Sequence, residues 1–106
     1  MSEHAIDRLF ATIAARKGAD AEKSYTAGLL RNGVAQCARK FGEESVETII
    51  AAMAGDKPGL AAESADALYH LLVLWAAAGI TPDDVYAVLK SREAQSGLEE
   101  KANRPK

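Results

Sequence analysis

The chain has one cysteine, Cys37, so no intramolecular disulfide can form. That fits a reducing compartment. Cys37 stands among small and apolar residues, with no basic constellation around it to make a reactive nucleophile, so a buried, inert thiol is expected. Long hydrophobic runs are also missing. The longest, Leu71 to Ile80, falls far short of the ~20 residues of a membrane span. The opening MSEHAIDRLF is neither basic enough nor apolar enough for a signal peptide. A cytoplasmic protein with no membrane partner is therefore the expectation. Excess charge of either sign is absent: 13 basic residues stand against 15 acidic ones, for a net charge of −2. The basic stripe of a general nucleic-acid binder is lacking, although a small anionic ligand is still accommodated. No strand alternation, internal repeat or low-complexity linker is present.

What remains is a chain of 106 residues, 48% of them hydrophobic, which fits one folded domain. The helical period dominates it. Ile6, Leu9, Phe10 and Ile13 recur at i, i+3, i+4 and i+7, giving an amphipathic helix ending near Lys17 and Gly18. Gly18 to Thr26 reads as a loop. Ser24 or Thr26 then caps a short helical turn with Leu29 and Leu30, broken at Gly33. From Val34 to about Ala54, one face carries Val34, Ala38, Phe41, Ser45, Ile49 and Met53, and Lys40, Glu43, Glu44 and Glu47 lie opposite. Gly42 interrupts this helix, either for a close approach or as a tolerated glycine. Gly55 stops the helix, and Asp56 with Pro58 restarts one that runs to Ala78 and ends at Gly79. This fourth segment is apolar almost all round and is expected to be the buried central helix. Thr81, Pro82, Asp83 and Asp84 start a last helix containing Val85, Val88 and Leu89. The expected fold is all-α, a bundle of about four main helices in a domain over 1–96, with a charged, frayed tail over 97–106. Three short neighbours cannot cover so apolar a helix, so a homodimer is expected to complete the bundle, with Tyr69 and Trp75 in core or dimer contacts.

The polar exceptions carry the chemistry. Glu44 and Glu47 lie three residues apart, as do Glu63 and Asp66, so each pair projects from one helix face. Glu63, Asp66 and His70 form a polar stripe on an otherwise apolar rod, and burying unpaired carboxylates is costly. An E-x-x-E on one helix is usually a solvated face. Two pairs on consecutive antiparallel helices instead point to one cation site. A network of salt bridges to Arg39 or Lys40 is the bland alternative, but those bases are too few to offset every acid. Oxygen ligands favour Mg²⁺, with Mn²⁺ as the alternative, and such ions normally serve phosphate substrates. His70 either hydrogen-bonds within the bundle, orients a carboxylate, or acts as a ligand.

The segments KFGEESVETIIAAMAGD (Lys40–Asp56) and ESADALYHLLVLWAAAGITPDDVYAVLKSRE (Glu63–Glu93) resemble the phosphoribosyl-ATP pyrophosphohydrolases of histidine biosynthesis. The Ser24–Thr26 SYT, followed by a leucine pair and a glycine, is similar too. The resemblance covers roughly residues 5 to 93. The acidic core alone also occurs in the wider MazG-like all-α nucleotide pyrophosphohydrolases. One departure is Lys57–Pro58–Gly59, where better helix formers are expected.

The resemblance implies a dimeric, Mg²⁺-using enzyme that hydrolyses phosphoribosyl-ATP to phosphoribosyl-AMP and pyrophosphate, the second step of histidine synthesis. It also implies a form without a fused cyclohydrolase. It assigns Glu44, Glu47, Glu63 and Asp66 as metal ligands and matches Glu43 to the first acid of the family's doublet. Glu43 or Glu47 is the candidate proton acceptor for the attacking water. Lys40 and Arg39 are placed to meet phosphate oxygens or are solvated charges. Ser24, Tyr25 and Thr26 contact substrate or form a cap and packing cluster. Two rivals stay open: a house-cleaning nucleoside triphosphate pyrophosphohydrolase, and a non-catalytic helical dimerisation module.

Overall fold

A computed structural model describes residues 4–93, and the expected tail over 97–106 lies outside them. Five helices follow in order: α1 (Ala5–Ala15), α2 (Tyr25–Asn32), α3 (Val34–Met53), α4 (Lys57–Ala78) and α5 (Pro82–Glu93). No strand occurs among the described residues. The all-α class is as expected. The short turn around Leu29 and Leu30 is a helix in its own right, because Ser24 caps it: its hydroxyl accepts from the Ala27 N–H at 3.1 Å.

Each boundary has a local cause. Gly33, at φ 89°, ends α2 and allows α3 to begin on the next residue. Gly42 is a tolerated helical glycine within one chain, since an added Cβ there would meet nothing within 4 Å. Lys57–Pro58–Gly59 starts α4 without difficulty. The Asp56 carboxylate accepts from the Gly59 N–H at 2.9 Å, and a Cβ on Gly59 would lie 2.1 Å from that carboxylate. Glycine is thus what lets the cap close. Gly79, left-handed at φ 85°, ends α4, and the Ile80 N–H returns to the Trp75 carbonyl at 3.0 Å. Thr81 and Asp84 cap α5 reciprocally.

The antiparallel pair α3–α4 is the spine. α1 packs on α4, α2 lies against both spine helices, and α5 touches α1. The core holds Ile13, Leu29, Cys37, Leu72, Val73 and Ala76, with Trp75 and Tyr69 packed beside it. All of it lies at one end of the spine. Within one chain α4 is therefore buried only in its second half, in keeping with a helix that three short neighbours cannot cover, and its central burial holds there alone. No residue of segment 57–66 is buried, and Leu68 is 45% exposed. The outward face of α3 is similarly open, with Ile49, Ile50 and Met53 at 60%, 61% and 83% exposure. No single helix among the described residues is long and apolar enough to cross a membrane.

Candidate active site

The acids lie near the middle of the spine, where its open half meets the covered one. Glu44 on α3 and Glu63 and Asp66 on α4 each offer a carboxylate oxygen, all within 4.8 Å of one another. The antiparallel turn at 54–56 brings two separate E-x-x-acid patterns to the same level. Glu47, one turn along α3, borders the group. Its carboxyl is pushed above the ordinary value, first by a hydrogen bond to Glu44, then by the charge of Glu44, by burial and by Asp66; Lys40 acts the other way. Like charges held this close need a counter-ion, and the donors are all hard oxygens. The site therefore fits an oxygen-loving divalent cation.

Thr48 links the two acid-bearing helices, a role that sequence periodicity did not signal. Its hydroxyl lies 2.8 Å from the Glu44 carbonyl and 3.1 Å from the Glu63 carbonyl, so one side chain fixes both acid-bearing backbones. A threonine one position from an acid pair on a helix is too common to stand out.

Glu43 belongs to a different constellation. It receives hydrogen bonds from Arg39 Nε and Lys40 Nζ, each at 3.3 Å, and these hold its carboxyl below the ordinary range, Lys40 foremost. The same bond to Glu43 raises the Lys40 ammonium, with Tyr25, Glu43 and Glu44 adding to it. Arg39 is well exposed and Lys40 less so. Lys40 also lines a cleft of about 300 Å³ between α2 and α3, together with Tyr25, Gly28, Leu29, Asn32 and Gln36. It thus stands between the cleft and the acids.

The loop residues divide by role. Ser24 is used as the α2 cap, and Thr26 hydrogen-bonds the Tyr69 hydroxyl. Tyr25 stays 61% exposed, its ring stacked 6.4 Å from Tyr69 and edge-on to His70 at 6.2 Å. His70 is 5% exposed, and its Nδ1 has no hydrogen-bond partner. Burial, with help from Lys40, pushes its pKa down, against Asp66 and Glu43. It stands outside the carboxylate group, as a neutral ring in an aromatic cluster. Cys37 is buried, 3.2 Å from the Leu29 carbonyl, with its thiol pushed up by burial, so it is the inert thiol expected.

The fold and site define an all-α domain whose two longest helices converge on a carboxylate cluster. The family of phosphoribosyl-ATP pyrophosphohydrolases matches the chain over residues 6–93, and the chain belongs to that family. It is 64% identical over 99 residues to a phosphoribosyl-ATP pyrophosphatase of Parvibaculum lavamentivorans, covering 93% of this chain and 91% of that protein. It is 56% identical over 101 residues to the enzyme of that name from Azospirillum brasilense, covering 95% and 91%. A third, from Cereibacter sphaeroides, is 57% identical over 99 residues, covering 93% and 96%. The chain is accordingly a pyrophosphohydrolase.

Proposed function

We propose that the protein is a cytoplasmic homodimer that hydrolyses phosphoribosyl-ATP to phosphoribosyl-AMP and pyrophosphate, using a divalent cation held by Glu44, Glu47, Glu63 and Asp66. One observation carries the reading. In a chain of this family, carboxylates from two helices converge within 4.8 Å. Mg²⁺ is the favoured ion and Mn²⁺ the alternative, because the donors are all carboxylate oxygens. When bound, such an ion supplies neutralisation of phosphate charge and Lewis acidity toward the leaving pyrophosphate.

The remaining work falls to the chain. Glu43 holds Lys40 by a 3.3 Å bond, so the ammonium is positioned as a cation for a phosphate oxygen beside the acids. Arg39, tied to the same carboxylate, backs it. Of the two candidate proton acceptors, Glu47 is the one that borders the cluster, and it takes the proton of the attacking water. Glu43, held by two cations, is the anchor. Ser24 and Thr26 fix the first turn of α2, which presents Tyr25 to the substrate. The second subunit is supported by the wet apolar stripe of Val46, Ile49, Ile50 and Met53, which extends alongside the site.

The test is pyrophosphate release from phosphoribosyl-ATP and from ATP at saturating Mg²⁺, paired with complementation of a strain lacking the activity. Rescue and a much higher kcat/KM for phosphoribosyl-ATP are expected. Equal efficiency on both substrates would turn the reading toward a house-cleaning triphosphate hydrolase. Absence of release from either would leave only a dimerisation module.

A further inference from the structure

Resting on the reading above, we propose that the cleft between α2 and α3 is the subsite for the phosphoribosyl group, the part of the substrate that ATP lacks, and that Gln36, Asn32 and Gly28 set the specificity. Volume is the first argument. At about 300 Å³ the cleft is at the small end of ligand pockets, ~300–1,000 Å³, and suits a fragment of a nucleotide rather than the whole. Chemistry is the second. The lining has one cation, Lys40, two side-chain amides and an aromatic ring, and no carboxylate. A metal-bound triphosphate finds no carboxylate there to receive its cation. A phosphoribosyl group finds partners: the Asn32 and Gln36 amides each offer donors and an acceptor to ribose hydroxyls and to the monoester oxygens, while Lys40 stands at the end of the cleft nearer the acids. Tyr25, 61% exposed at the rim, offers a ring face to the adjoining base.

Continuity with the acids is the third argument. Gln36, Lys40, Glu44 and Glu47 recur at i, i+4, i+8 and i+11 on α3, so they share one face. That face extends about 17 Å from Gln36 to Glu47 at ~1.5 Å per residue. Along it, the character changes from amides to a cation to acids. One elongated ligand laid on this face would put its phosphoribosyl end at Gln36 and its triphosphate end at the carboxylates. Lys40, 3.3 Å from Glu43 and lining the cleft, marks the junction.

Gly28 gives a test that separates specificity from folding. A Cβ added there meets only the Ala21 carbonyl, at 3.8 Å, an ordinary contact. Alanine is also the better helix former, so Gly28→Ala should melt at the same or a higher temperature. It nonetheless narrows the cleft. KM for phosphoribosyl-ATP is expected to rise about tenfold in Gly28→Ala and in Gln36→Ala, with kcat little changed, so that the kcat/KM preference over ATP falls by about the same factor. Full wild-type preference in both variants, with intact melting, would overturn the subsite assignment while leaving the enzyme's reaction standing. A wild-type protein with no preference for phosphoribosyl-ATP would remove both the reaction and the subsite, and that result is read before any variant is made.

Discussion

Segments 57–66 and 67–78 belong to the same helix, α4, but have different surroundings. The second holds His70, Leu72, Val73 and Ala76, all buried, with α1, α2 and α3 against it. The first is KPGLAAESAD, with no buried residue and with its acids turned toward Glu44 in the middle of α3. Large aliphatic side chains recruit covering helices, because each one fully buried contributes roughly 1.5–3 kcal/mol. Alanine, serine and acids recruit none, and so they leave an opening. The buried core is concentrated at one end of the spine, and the acids lie on the open side of its border. The carboxylates can thus repel one another, and wait for a cation, without straining the core.

The sharpest way to break that division is to exchange the two kinds of damage. Leu72→Ala, in the covered half, should cost about 2–5 kcal/mol of stability in urea denaturation. Glu63→Gln or Asp66→Asn, in the open half, should remove activity by more than the ~10–100-fold typical of an outer-shell loss. Their metal-free stability should stay level or rise, since each removes a repelling charge. Calorimetry decides the assignment, and Mg²⁺ affinity unchanged in both acid variants would end the ligand role of this pair.

A second exchange concerns the outer faces. Leu72 is 1% exposed within one chain, so a charge there attacks the core and not an outer face. Ile50, 61% exposed on α3, is the proper target. If the stripe is the proposed subunit interface, wild type should sediment as a dimer and Ile50→Glu as a folded monomer at micromolar concentration, with helical circular dichroism retained. A wild-type protein already monomeric there would show that the stripe is not a subunit interface.

Much of this was legible in the sequence. The 3.6 period located the helices, and the glycines and caps at Gly55, Asp56, Gly79 and Thr81 fixed their ends within a residue or two. The convergence of Glu44, Glu63 and Asp66 followed from helical spacing plus a short turn, because antiparallel neighbours must bring such positions level. α2 was harder to see. Only eight residues long, it offers a weak period, and the polar Ser24 decides its start through a bond that competes with Thr26 in sequence but not in space. Thr48 and the Gln36–Lys40 cleft were not legible, since both depend on which side of α3 meets which neighbour. That α4 would stay partly uncovered within one chain was legible, but which half was not. Apolar periodicity shows that a face needs cover and is silent on whether the same chain supplies it.

A smaller effect is expected at the junction of the two helices. Asp56 closes the α4 start by accepting from Gly59 at 2.9 Å. Asp56→Ala should lower stability by about 1 kcal/mol, well below the Leu72 change, with the dimer intact. It lies at the open end, so thermal melting with the acid cluster unchanged would measure how much of that end is held by local capping alone. A loss as large as that of Leu72→Ala would mean that the open end contributes to the core after all.

The smallest effect comes from His70, the polar group inside the covered half. Its ring packs against Tyr69 at 4.9 Å and Tyr25 at 6.2 Å, and the charged groups acting on it are Lys40, Asp66 and Glu43. Burial first, and Lys40 second, depress its pKa below the ordinary 6.5. The unfolded chain therefore binds the proton more readily than the folded one between those two values. Stability from this group is complete above pH 6.5 and is lost as pH falls below it. Glu47 carries the opposite sign, with a window that opens upward from the ordinary carboxylate value of 4.5, so its contribution rises as pH falls and opposes that of His70. The wild-type melting temperature should decline as pH falls below 6.5. His70→Phe keeps a ring among the two tyrosines, removes the unpartnered nitrogen and should flatten the decline while melting no lower at pH 7.5. Parallel declines in the two proteins would assign the acid sensitivity to another group and leave His70 as packing alone.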